Sequence, residues 1–105
     1  MSRIMRMIVY FDLPVNTLKE RKNYTIFRKH LMEAGFYMMQ ESVYAKIVLN
    51  PSAKIYLEQY LKSIAPPKGL VQSLIITEKQ FSNIVTVVGE TKSEFISTKN
   101  KVVFL

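Results

Sequence analysis

Two groups of residues in this chain have the types and spacing for chemistry. The first is a single carboxylate, Asp12, in the stretch Met7-Ile8-Val9-Tyr10-Phe11-Asp12-Leu13-Pro14. An apolar run this short, rich in β-branched and aromatic residues and closed by proline, reads as a buried strand. Asp12 is its last polar residue, where a sheet stops and a ligand can begin. A carboxylate just ahead of a proline also serves as a turn residue, so both readings stand. As a ligand, it suits a hard cation. Magnesium prefers oxygen donors and keeps several waters, so one or two carboxylates suffice. One Asp per chain is thin for that role, whereas two Asp12 side chains meeting across a twofold axis would be adequate. Without a cation between them, each would raise the pKa of the other.

The second group is basic. Lys19, Arg21, Lys22, Arg28, Lys29 and His30 fall within twelve residues of one predicted helix, and that window holds a single acid, Glu20. On a helical wheel Arg21 and Arg28 share one flank of the apolar stripe, and Lys22 and Lys29 lie further round. Such a helix is either a solvated outer face or a rigid track of point charges for a phosphate backbone. The whole chain leans the same way. Its 105 residues hold 15 Lys and Arg against 8 Asp and Glu, a net charge of +7. That balance favours an anionic partner, with nucleic acid the commonest.

Other chemistries are excluded by what is missing. With no cysteine there is no disulfide framework, thiolate metal site or thiol nucleophile. His30 is the only histidine and has no companion at metal-ligand spacing. No Gly-rich phosphate loop, nucleophile elbow or zinc-ligand pattern is present. The aromatic signature of single-strand RNA platforms is also absent. Arg3 and Arg6 interrupt the N-terminal apolar residues, so neither a signal peptide nor a membrane span of about 20 residues is expected. The chain reads as cytoplasmic, with no membrane partner.

The elements that must position these residues follow from local signals. A strand is expected over residues 6–13 and a turn at Pro14-Val15-Asn16. Thr17 and Glu20 form a capping box for a helix that Gly35 ends near Ala34. Tyr24, Phe27, Leu31 and Ala34 form its apolar face. The stretch 36–49 has strand composition but is too long for one flat strand. Its clearest apolar row is Val43, Ala45, Ile47 and Leu49. Extended backwards, that row would put Glu41 on the apolar face, so a bulge or bend near Gln40-Glu41-Ser42 should split the stretch in two. Asn50-Pro51 opens a second helix with Ala53, Leu57, Tyr60, Leu61 and Ile64 as its apolar face, and Pro66-Pro67 ends it. Strands are expected at 70–77 and 84–88, and Val102-Val103-Phe104-Leu105 is a short strand candidate.

The order is that of an α+β, ferredoxin-like βαββαβ domain with additional C-terminal strands and two helices on one face of an antiparallel sheet. It divides into a domain at 1–90 and an extension at 91–105. The other sheet face, with Ile8 and Tyr10 as its candidates, would suit a sheet-to-sheet homodimer.

The spaced residues also resemble a known family. Met7 to Pro14 followed by Glu20-Arg21-Lys22 is similar to the CRISPR-associated protein two family. So are Tyr24-x-x-Phe27-Arg28-Lys29-x-Leu31, the Gly35-Phe36 join, Gln40-x-Ser42-Val43-Tyr44 and Thr77-Glu78-Lys79-Gln80-Phe81. The last motif and the Val-Val-Phe-Leu terminus resemble the branch that accompanies the large single-protein effector nuclease. The resemblance implies a ferredoxin-like homodimer of the spacer-acquisition machinery, which bridges two dimers of an integrase partner and holds a protospacer DNA duplex. It also implies a metal-dependent endonuclease on single-stranded RNA or double-stranded DNA. Asp12 would then be the catalytic residue and the ligand for magnesium, with manganese as an alternative. Arg21, Lys22, Arg28 and Lys29 would contact nucleic acid, and Val102, Val103, Phe104 and Leu105 would pair with the integrase. A free-standing ribonuclease of the toxin type, which shares this fold, is the alternative.

Overall fold

β1 (Met5–Asp12) is a strand because its side chains alternate in character. Met7, Val9 and Phe11 are buried, whereas Tyr10 and Asp12 between and beyond them are exposed. The computed structural model describes residues 4–90; residues 91–105, including the strand expected at Val102 to Leu105, lie outside the described residues. After β1 come α1 (Leu18–Glu33), β2 (Tyr37–Gln40), β3 (Val43–Val48), α2 (Pro51–Ile64), β4 (Leu70–Thr77) and a short α3 (Glu78–Ser82). The four strands form one antiparallel sheet in the order β2-β3-β1-β4. This is the ferredoxin-like α+β arrangement.

The helix ends follow the expected local chemistry. The Thr17 hydroxyl accepts from the Glu20 amide at 3.0 Å, and the Glu20 carboxylate accepts from the Thr17 amide at 3.0 Å. Both orphan amides are thereby satisfied. At the far end, the Phe36 amide reaches back to the Leu31 carbonyl at 3.0 Å while Gly35 takes φ +97°, a left-handed turn that glycine adopts without penalty. The Asn50 side chain accepts from the Ala53 amide at 2.8 Å to start α2, with Pro51 in its first turn.

Phe27 and Leu31 of α1 and Leu57 and Leu61 of α2 pack on Met7, Val9 and Phe11. Phe27 crosses Phe11 edge-on at 5.0 Å, and Tyr44 stacks on Phe11 at 5.8 Å. The core therefore lies between the two long helices and one face of the sheet. By register, the other face carries Arg6, Ile8, Tyr10 and Asp12 of β1, opposite Ile76, Leu74, Gln72 and Leu70 of β4. This is hereafter the open face. Tyr10, Leu70 and Leu74 are exposed on it.

Three features differ from the sequence expectations. The apolar row Val43, Ala45, Ile47 lies on the open face, since these residues pair with Tyr10, Ile8 and Arg6. The core takes the other phase, Tyr44 and Val48 with the Lys46 stem between them. Both rows are largely apolar, so alternation alone could not choose between them. The expected split does occur: the β2–β3 register shifts between Met38 and Gln40, and Ser42 turns the chain at φ +70°. Next, residues 84–88 form no strand among the described residues; Val85, Val87 and Val88 are 77–91% exposed. Finally, α3 was not anticipated, although Thr77 and Gln80 form a capping box like that of α1.

Candidate functional site

Asp12 is the last residue of β1, exposed on the open face beside Leu70. Its position is set from two sides. The Phe11 amide donates to the Ser42 carbonyl at 3.1 Å, tying the strand end to the β2–β3 turn. On the β4 side, Gly69 lies so close that a Cβ there would stand 2.7 Å from the Asp12 carbonyl oxygen and 2.7 Å from Leu13 Cδ2. Gly69 also has φ +101°, so both the turn and the close approach require glycine. The backbone of Asp12 is thus fixed while its carboxylate faces solvent. Among the described residues no ion pair or hydrogen bond engages that carboxylate, and no cluster of three potential metal ligands exists. A hard cation would find one carboxylate per chain here. Magnesium takes oxygen donors and keeps several waters, so this single carboxylate could supply one of its ligands but not a complete protein site.

The four candidate basic residues divide. Lys22 and Lys29 are exposed on α1 and make no ion pair among the described residues. Arg21 is exposed but donates from Nη1 to the carbonyls of Val15 (3.1 Å) and Asn16 (3.3 Å), bracing the loop that follows Asp12. Arg28 is half-buried and turned into the fold. Its Nε donates to the Tyr44 hydroxyl at 2.7 Å, and its guanidinium lies 5.8 Å from the Tyr24 ring centre. The hydrogen bond to Tyr44 outweighs partial burial and holds Arg28 still more firmly in its charged form. A phosphate contact by Arg28 would have to compete with that bond. Helical spacing placed Arg28 beside Arg21, but the signal for its inward turn was a tyrosine on β3, whose phase the sequence left ambiguous.

Further positive charge gathers at the Asp12 end. A groove of about 200 Å³ lies between the first turn of α1 and Pro66-Pro67, with Lys19 and Lys68 among its lining residues. His30, by contrast, is a surface residue, with Nδ1 3.6 Å from Glu33 Oε1.

One cluster escaped sequence reasoning. Arg6, the second residue of β1, binds Glu78 of α3 and Tyr37 of β2 on the open face. The available signal was a cation inside an apolar strand, which demands a partner.

The profile of the family described as CRISPR associated protein Cas2 matches residues 5–84. The chain belongs to the Cas2 family. A CRISPR-associated endoribonuclease Cas2 of Treponema denticola is 45% identical, over 96% of this chain and all of the relative. A protein of the same name from Ligilactobacillus salivarius is 41% identical over the same shares. A solved structure titled "Crystal structure of cas2" superposes with a TM-score of 0.61 at 27% identity, covering 86% of this chain and 92% of the other. Membership of the Cas2 family makes this a CRISPR-associated protein, and the shared fold agrees with the strand order found here. Among the described residues no helix is long and apolar enough to cross a membrane.

Proposed function

We propose that this Cas2 protein acts in spacer acquisition as a homodimeric adaptor that bridges integrase dimers and binds protospacer duplex DNA, with a magnesium-dependent endonuclease activity attached to Asp12. The observation that carries this reading is the division of labour between the two sides of the sheet. On the open side, Tyr10 and Leu70 are exposed apolar residues at the Asp12 end, and Leu74 and Ile47 continue the exposed apolar face towards the other end of β1. A second copy docked there would cover them and bring two Asp12 carboxylates towards one axis. On the other side, α1 displays Lys22 and Lys29 to solvent. In a dimer joined by its open faces, both α1 helices point outwards, where charges spaced along rigid rods can track phosphates without reading bases.

The relatives' name, endoribonuclease, supports phosphodiester chemistry on RNA. Magnesium held between the paired carboxylates would polarise a phosphoryl oxygen and lower the pKa of a bound water. The chain's own contribution is to hold Asp12 at a fixed backbone position, through Gly69 and Ser42, with its carboxylate free. Among the described residues no hydrogen bond or ion pair joins the Asp12 carboxylate to a group that could act as a general base, and the proposed adaptor role needs none.

The test pairs two assays on Asp12→Ala. Magnesium-dependent cleavage by the purified dimer should fall to background, whereas spacer acquisition in cells should persist. Loss of acquisition from a normally folded Asp12→Ala dimer would overturn the adaptor reading. Equal cleavage by both proteins would assign the nuclease activity to a contaminant.

A further inference from the structure

We propose that Arg6 is a clasp that holds α3 against the open face and so sets the course of the chain beyond β4, including the apolar segment 84–88.

Arg6 lies in β1 between Ile47 of β3 and Ile76 of β4 in the sheet register. Its side chain is only 12% exposed. A cation in that position needs full compensation. Glu78 of α3 supplies a forked ion pair, accepting from Nε at 2.5 Å and from Nη2 at 3.2 Å. The Tyr37 hydroxyl of β2 accepts from Nη1. The Phe81 ring lies 4.2 Å from the guanidinium carbon, within cation–π range. The guanidinium thus gathers β2 and both ends of α3 around one planar group, the geometry at which arginine surpasses lysine.

α3 has little else to hold it. It is a single turn and a half with no buried residue, far below the length at which a helix is stable alone. Its capping box stabilises the turn itself but not its attachment to the sheet. The next segment depends on α3 in turn: the Ile84 amide donates to the Phe81 carbonyl at 3.2 Å. From there residues 84–88 run exposed. The clasp makes their placement a property of β1, the strand that also carries Asp12, although Arg6 and Asp12 stand at opposite ends of it. Loss of the clasp frees α3 and the segment while leaving the sheet and Asp12 in place.

The experiment is limited trypsin digestion of the folded protein, read at the bond after Lys79, together with amide exchange at Phe81 and Ile84. Glu78 is partly exposed, so Arg6→Met leaves no uncompensated buried acid, whereas Glu78→Gln keeps an amide oxygen to accept from Arg6 and removes only the charge. Glu78→Gln should speed cleavage after Lys79 about tenfold, the size expected for losing a charge-assisted pair of this exposure. Arg6→Met should do the same, with amide exchange in β1 and β3 unchanged. The exchange Arg6→Glu with Glu78→Arg should return cleavage to within about twofold of the parent. Unaltered cleavage and exchange in Glu78→Gln would overturn the proposal and assign the attachment of α3 to Phe81 packing alone.

Discussion

Replacing Arg28 by alanine separates a structural arginine from the lysines beside it. Tyr44 is 0% exposed, and its hydroxyl is bonded to Arg28 Nε at 2.7 Å. Without Arg28 that hydroxyl loses its partner in a site walled by Phe11, which stacks on it at 5.8 Å. An unsatisfied buried hydroxyl costs about 1–3 kcal/mol. Arg28 is itself half-buried, so water entering its place recovers part of this, and about 1–2 kcal/mol remains. For a domain of this size that lowers the melting temperature by roughly 4–16 °C. Tyr44→Phe should cost less than about 1 kcal/mol, because the arginine left behind can reach water. The double variant should then be no worse than Arg28→Ala alone, giving a coupling of about 1 kcal/mol in a double-mutant cycle. Urea unfolding of the four proteins measures it. The second arm is binding to duplex DNA by fluorescence anisotropy across salt concentrations. Removing Lys22 and Lys29 together should flatten the log–log slope by about 1.8, at 0.9 per phosphate contact. Between 50 and 200 mM salt that is a roughly twelvefold smaller loss of affinity. Arg28→Ala should leave the slope as it was. Strict additivity in the cycle, or a slope change of nearly one unit for Arg28→Ala, would refute the assignment of Arg28 to the fold.

Other consequences are equally direct. Gly69→Ala puts a Cβ 2.7 Å from the Asp12 carbonyl oxygen in a left-handed conformation; it should cost about 2 kcal/mol or more in a thermal melt and depress magnesium-dependent cleavage with it. Leu74→Lys sets a charge on the open face opposite Ile8, and sedimentation equilibrium should show self-association weakened at least about thirtyfold, with the helical circular dichroism unchanged. Burial raises the pKa of Tyr37 above its ordinary value near 10 despite the neighbouring Arg6. The folded state therefore keeps that proton longer than the unfolded chain does, so Tyr37 favours folding fully below about pH 10 and loses this contribution as pH climbs through the raised value. Stability measured against pH should fall less steeply above pH 10 in Tyr37→Phe, and an identical fall would contradict the shift.

The elements of this protein were legible in its sequence because their signals are local. A capping box at Thr17 and Glu20, an Asn-Pro start at residue 50 and a glycine at 35 act within one helical turn, and each behaves in the fold as its chemistry dictates. Asp12 at the end of an apolar strand was legible for the same reason. The family motifs spread along the chain carried the identity. The residues that depend on distant partners were not legible. Both rows of β3 are apolar enough to be the core, and only packing beneath α1 selected Tyr44 and Val48 over Val43 and Ile47. That choice also turned Arg28 inwards, because it placed the Tyr44 hydroxyl beneath the helix. Arg6 could be seen as an odd cation in a strand, but its partners lie 31 and 72 residues away. Local hydrogen bonds and backbone preferences act over a few residues and can be read in order. The face a strand buries, and the charge that a buried cation meets, depend on contacts that exist only once the chain has closed on itself.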